Sequence, residues 1–407
     1  MDVTILFILT SITGFYMAWN IGANDVANSM GTSVGSGVLS IRNAVIVASL
    51  LNISGAVLVG SHVTDTIRKG IVSPEAFSSN PEVFAYGAFA ALLGAGLWIT
   101  IATHLQLPIS TTHSIVGAIV GFGLIYAGFS VINLQKLFFI ILSWIISPIA
   151  GAILSFIIFK EIDKYVLDTD TPFESAERVF HYIVFIVFFV LSISIFYKGL
   201  RLKLGILDVI CISLVIGLIA GIIGNILIKR YKLRVTDQYA AVEKVFGKLQ
   251  IISACCVAFA HGSNDVANAI GPVAAILSII ETHTFKPEVH VPFELLLLGG
   301  IGIAIGILTW GYKVMETIGK KITEITPTRG FAAEFGAAAT VLACSKMGLP
   351  ISTSHTLVGS VIGVGFARGI TALNLNVVKN IVVSWIVTIP FAALFTMVIY
   401  EILIHIL

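Results

Sequence analysis

The chain has 407 residues, 57% of them hydrophobic and only 11% charged, with a mean hydropathy of +1.00, a balance that excludes a soluble globular domain and a disordered chain. A formal charge of +2 without a basic tail argues against a nucleic-acid partner. The apolar residues fall in long runs rather than in alternating short segments, so the expectation is an all-α integral membrane protein and not a barrel.

The first run, Val3 to Trp19, follows Asp2 instead of a basic stretch and leads to no small-residue cleavage site, so it is expected to be a retained helix. A polar phrase comes next, Asn20 to Gly31, reading NIGANDVANSMG. Ala44 to Gly60 is a further apolar span. Phe89 to Pro108 then leads into Pro108-Ile109-Ser110-Thr111-Thr112-His113, where three hydroxyl residues precede a Gly-rich helix from Ser114 to Gly128. Beyond the charged stretch from Lys160 to Arg178 lie two more spans, Tyr182 to Phe196 and Leu204 to Ile228. Lys229, Arg230, Lys232, Arg234, Lys244 and Lys248 crowd the loop after the second of these spans, which the positive-inside rule places in the cytoplasm. The polar phrase then returns as HGSNDVANAIG, His261 to Gly271, and the hydroxyl phrase as Pro350-Ile351-Ser352-Thr353-Ser354-His355, opening a helix from Thr356 to Gly365. Asn380 to Leu407 is the last apolar run.

Asp25 and Asp265 stand 240 residues apart, Phe89 to Pro108 overlies Phe331 to Pro350 at an offset of 242, and Val63 to Ile67 (VTDTI) overlies Val314 to Ile318 (VMETI) at 251. Ser143-Trp144 pairs with Ser384-Trp385. Echoes in conserved order mark a duplicated unit. The expected organisation is a first repeat over 1–160, a connector over 161–247 with two transmembrane helices and cytoplasmic loops, and a second repeat over 248–407. If each half crosses an odd number of times, both termini face outward and the repeats are inverted, giving about 12 membrane helices or half-helices with helix-start hairpins at the binding site. The segments around Pro108 and Pro350 are either full spans or re-entrant.

Acids and amides in hydrocarbon are costly, about 2.5 to 3.5 kcal/mol for a central Asp, and mark functional sites. On a continuous helix Asn24, Asp25 and Asn28 share one face, as do Asn264, Asp265 and Asn268. Such a set of carboxylate and amide oxygens suits a hard cation, with flanking glycines able to open the helix. The plainer reading is amide glue between closely packed helices. Ser110, Thr111, Thr112, Ser352, Thr353 and Ser354 sit at helix starts, where free N–H groups and the helix dipole favour an anion; plain N-capping is the alternative. His113 and His355 are expected to hold their loops by local hydrogen bonds, with ligand contact the lesser role. Glu334 stands where the first half has Leu92 and needs a partner, either as a cation ligand or as a protonated carboxyl. Cys211, Cys255, Cys256 and Cys344 lack paired spacing and are expected to be inert small hydrophobes.

A carboxylate about 6 Å from an anion is repelled by roughly 3 kcal/mol at an effective dielectric near 20, and neither motif contains Arg or Lys to offset this. Cations at Asp25 and Asp265 would reverse the sign, so anion binding would require cation binding, which is symport. The amide oxygens beside each Asp favour sodium over a proton. No GxxxxGK[ST], HExxH or GxSxG occurs, so neither an enzyme nor an ATP-driven pump is expected, and no cofactor beyond the coupling ion. A sulfate or divalent metal-phosphate permease, proton-coupled or not, and an anion channel are the alternatives.

GANDVANSMG, GSNDVANAIGP, LPISTTHSIVG and LPISTSHTLVG resemble the paired signatures of the inorganic phosphate transporter (PiT) family. The resemblance implies electrochemically driven uptake of inorganic phosphate across the cell membrane by alternating access, with inverted repeats, outward termini, sodium or a proton as coupling ion, and a homodimer. It implies that Ser110, Thr111, Thr112, Ser352, Thr353 and Ser354 hold phosphate, and that Asn24, Asp25, Asn28, Asn264, Asp265 and Asn268 form the neighbouring cation sites. The connector is too short for an inserted regulatory domain.

Overall fold

A computed structural model describes residues 3–60, 80–196, 205–232, 236–282, 284, 291–346 and 351–406. Asp2, Val63 to Ile67, Leu204, Arg234, Pro350 and Leu407 lie outside the described residues. The described chain is helical: α1 (Val3–Asp25), α2 (Ala27–Gly35), α3 (Ile41–Val59), α4 (Pro81–His104), α5 (Thr111–Ala127), α6 (Leu134–Ile162), α7 (Pro172–Ser194), α8 (Ile206–Lys232), α9 (Gln238–Thr282), α10 (Phe293–Glu316), α11 (Pro327–Lys346), α12 (Thr353–Arg368) and α13 (Leu375–Ile406). Among the described residues, ten helical segments are long and apolar enough to cross a membrane. Leu58, Leu207 and Ile386 are exposed on the outer surface, as side chains facing lipid should be.

The two polar phrases fold differently. In the first, α1 stops at Asp25 and α2 restarts at Ala27, whereas the second runs unbroken through α9, whose 45 residues carry even Pro272 inside. Lys244 and Lys248, expected in a loop, therefore lie on α9, and positions 160/161 and 247/248 both fall within helices.

Packing exchanges elements between the halves. α1 lies on α10, and α3 on α9 and α10; α13 lies against α4 and α5, and α6 against α11 and α12. Without a hydrophobic force between helices in lipid, close backbone approach at small residues supplies the attraction. Gly22 meets the Ile303 carbonyl and Gly262 meets Asn52; Gly117 and Gly121 meet Ile389 and Ala393, while Gly359 and Gly363 meet Pro148 and Ala152. Gly22 and Gly262 stand 240 apart, and Asn52 and Ile303 stand 251 apart. The contacts thus recur at the same offsets as the sequence echoes.

α7 and α8 pack on each other, and α7 also touches α9 and α11. The connector is therefore built against the second half.

A Cβ at Gly306 would lie 1.9 Å from the Trp19 carbonyl oxygen, so Gly306→Leu is expected to cost about 3 kcal/mol or more by forcing α10 off α1. Thermal melts in detergent check this; an unshifted melting temperature would contradict the packing.

Candidate functional site

Pro108 disfavours helix at Leu107, and Ser110 then caps the next one. Ser110 Oγ accepts from the His113 N–H at 3.3 Å, and Ser352 Oγ from the His355 N–H at 3.2 Å. Both helices therefore begin earlier than expected, at Thr111 and Thr353. The two starts face each other, the His113 and His355 rings being 4.8 Å apart.

Asp25, at 2% exposure, collects donors from both starts. Thr111 Oγ1 donates to its Oδ2 at 2.6 Å, and Ser354 Oγ to its Oδ1 at 3.2 Å. Asn28 Nδ2 reaches the same Oδ1 at 3.1 Å and Ser354 Oγ at 2.7 Å. In the second copy, Asn268 Nδ2 lies 3.4 Å from Asp265 Oδ1 and 3.3 Å from Thr112 Oγ1. The six hydroxyls thus divide three ways: Ser110 and Ser352 cap, Thr111 and Ser354 serve Asp25, and Thr112 and Thr353 line a cavity of about 150 Å³. That is roughly ten times the volume one water needs. Asn28, Asn264, Asp265 and Glu334 share its wall.

Asn24 departs from the expected arrangement. Its Nδ2 donates to Thr103 Oγ1 at 2.9 Å and to the Leu107 carbonyl at 3.0 Å, while its Oδ1 accepts from the Ile109 N–H at 3.2 Å. The side chain is spent on the turn between α4 and α5. Spacing along one helix does not reveal this, because the partners of Asn24 lie 79 to 85 residues away in the chain. That turn is held elsewhere too: Gln106 adopts φ 61°, Thr317 Oγ1 donates to its carbonyl at 2.9 Å, and Lys321 Nζ donates to its side-chain oxygen.

The histidines of the hydroxyl phrases also differ from expectation. Among the described residues, His113 Nδ1 and both ring nitrogens of His355 have no hydrogen-bond partner. The rings lie on tryptophans instead, His113 tilted by 38° against Trp144 at 4.2 Å and His355 stacked on Trp385 at 3.9 Å. Trp385 Nε1 donates to the Pro108 carbonyl at 3.1 Å, tying α13 to the turn before α5. Glu334, at 1% exposure, accepts from Ser253 Oγ at 2.8 Å and Thr32 Oγ1 at 3.1 Å. Of the cysteines, Cys344 is buried but Cys211 is exposed on α8.

Sequence reasoning passed over His261. Its Nε2 lies 2.8 Å from Asp265 Oδ2 and 3.7 Å from Asp25 Oδ2, close polar contacts not aligned as hydrogen bonds. One ligand atom from each of Asp25, His261 and Asp265 falls within 4.8 Å of the others, a grouping that could hold a metal ion. The available signal was position, since His261 precedes Asp265 by four residues on one helical face.

Buried acids and hydroxyl-capped helix starts sharing one cavity inside a helical membrane bundle make a polytopic membrane carrier. The chain belongs to the phosphate transporter family, whose profile matches residues 21–396, a family of transporters and not of enzymes. It is 48% identical over 99% of both chains to a Pyrococcus abyssi protein provisionally named a phosphate permease. It is 44% identical to inorganic phosphate transporter 2-1, chloroplastic, of Arabidopsis thaliana, over 94% of this chain and 70% of that one. A solved structure titled the sodium-dependent phosphate transporter is similar with a TM-score of 0.90 and 44% identity, covering 99% of this chain and 100% of that chain.

Thr111→Val removes a 2.6 Å donor from a buried carboxylate and is expected to cost about 1 to 3 kcal/mol of stability. Thr112→Val, at the cavity wall, is expected to cost less. Thermal unfolding in one detergent compares them, and equal losses would speak against the division of hydroxyls.

Proposed function

We propose that this protein carries inorganic phosphate into the cell by cation symport through alternating access, with sodium as the coupling ion. Asp25, Asn28, Asn264, Asp265 and Asn268 hold the cation, and the hydroxyls of the two helix starts hold phosphate, Thr112 and Thr353 from the cavity wall. Asn24 anchors the α4–α5 turn instead of a cation. The observation that carries this reading is that Thr111 and Ser354, from opposite halves, both donate to Asp25. Anion-binding groups and a cation-binding acid are thereby in direct contact. The oxygen-rich ligand set favours a hard alkali cation.

The recurrence of contacts between halves supports a duplicated unit; with the basic connector on the cytoplasmic side of the cell membrane and an odd number of crossings in each half, the repeats are inverted and both termini lie outside.

Proteoliposomes given an inward sodium gradient are expected to show saturable phosphate uptake, resisted by excess sulfate. Asp265→Asn removes a carboxylate ligand of the cation and is expected to raise half-saturating sodium roughly a hundredfold, the equivalent of about 3 kcal/mol of charge interaction. Uptake indifferent to sodium but driven by a proton gradient would replace sodium in this scheme, and indifference to both would end it. Unsaturable flux with single-channel currents would indicate a channel.

A further inference from the structure

The α3·α9 and α1·α10 interfaces are counterparts: the Gly262 backbone presses on Asn52 in one and the Gly22 backbone on Ile303 in the other. At this crossing the first interface carries His261 and Asn52, while the second carries Ile21 and Ile303 at the matching offsets of 240 and 251. His261 is 5% exposed and the other three are 0% exposed. Two isoleucines fill the crossing in one half, so closing the backbone contact does not require polar side chains. Placing an amide and an imidazole there costs desolvation free energy, which points to a use beyond packing.

The orientation of the pair gives that use. Asn52 Nδ2 donates to the Ala48 carbonyl at 2.9 Å, which turns its Oδ1 toward His261 Nδ1 at 2.8 Å. An amide oxygen only accepts, so Nδ1 is the donor in this contact. The opposite edge of the ring, Nε2, is thereby aimed between Asp265 Oδ2 at 2.8 Å and Asp25 Oδ2 at 3.7 Å. We infer that Asn52 is a positioning residue of the cation site: acting through His261, it sets the orientation of the two aspartates that belong to different copies of the polar phrase. This rests on the symport reading above and adds to it. Because the Ile21–Ile303 crossing provides no such ring, the two acids are unequal partners. Hydroxyls donate to Asp25, whereas Asp265 has the edge of the His261 ring against it. Groups one layer behind an ion's ligands act in this way, and their loss weakens metal affinity by about 10- to 100-fold.

The test is phosphate uptake into proteoliposomes as a function of sodium, separating half-saturating sodium from maximal rate. Asn52→Leu is expected to raise half-saturating sodium about tenfold while keeping the maximal rate at saturating sodium. In a His261→Ile background, Asn52→Ile is expected to change nothing further, since the double variant reproduces the crossing of the other half. Should Asn52→Leu fail to fold, the double variant compared with His261→Ile alone gives the same decision. If Asn52 merely glues α3 to α9, its loss lowers the yield and maximal rate with half-saturation unmoved, and the inference is overturned. A shift that persists undiminished in the His261→Ile background overturns it as well. The wild-type sodium curve separates the two levels: a flat curve removes the symport reading and this inference with it, whereas a sodium-dependent wild type with an unshifted Asn52→Leu removes the inference alone.

Discussion

A carboxylate at 2% exposure inside a membrane bundle must find its hydrogen bonds within the protein, because neither water nor lipid supplies them. Asp25 finds two of them on segments remote in the chain, Thr111 at the start of α5 and Ser354 at the start of α12, and a third three residues on at Asn28, with the His261 ring of α9 close by. Each of these depends on a local backbone event. The i,i+3 spacing brings Asn28 onto the acid, and the serine caps fix where α5 and α12 begin. The glycine crossings let the helices approach closely enough for short side chains to meet.

Duplication was legible in the sequence because acids, amides and hydroxyl runs are rare in apolar segments, so two ordered sets stand out. The helix starts of the hydroxyl phrase were legible too, since proline disfavours helix in the residue before it and the serine two residues on caps the helix that follows. Illegible were features that depend on which neighbour arrives. Asn24 belongs to the polar phrase, yet its amide is used by Thr103, Leu107 and Ile109, neighbours that spacing along one helix does not reveal. Histidines 113 and 355 looked like loop anchors, but tryptophans from α6 and α13 cover them. His261 and Asn52 are 209 residues apart, and no local pattern joins them.

Exchange of partners between the halves links the site to larger units. α13 clasps α4 and α5, and α6 clasps α11 and α12, so each hydroxyl-bearing helix start is backed by a long helix from the other half. Trp385 makes the link specific by donating to the Pro108 carbonyl. A displacement of either start therefore engages both halves at once, which suits a carrier whose access alternates about one shared site.

Coupling is then a matter of counting hydrogens. A hydroxyl has a single hydrogen to give, and those of Thr111 and Ser354 are given to Asp25. While they are so committed, they present only lone pairs to any other group, and lone pairs repel an oxyanion. A cation beside Asp25 satisfies the carboxylate by charge and leaves the hydroxyls able to turn toward phosphate. The same ion also replaces repulsion of roughly 3 kcal/mol by attraction at about 6 Å. Geometry and electrostatics thus favour the same order, cation before anion. The two acids are set differently, hydroxyls donating to Asp25 and the His261 ring edge lying against Asp265, so on the proposed reading Asp25 is the acid at which this exchange of donors operates.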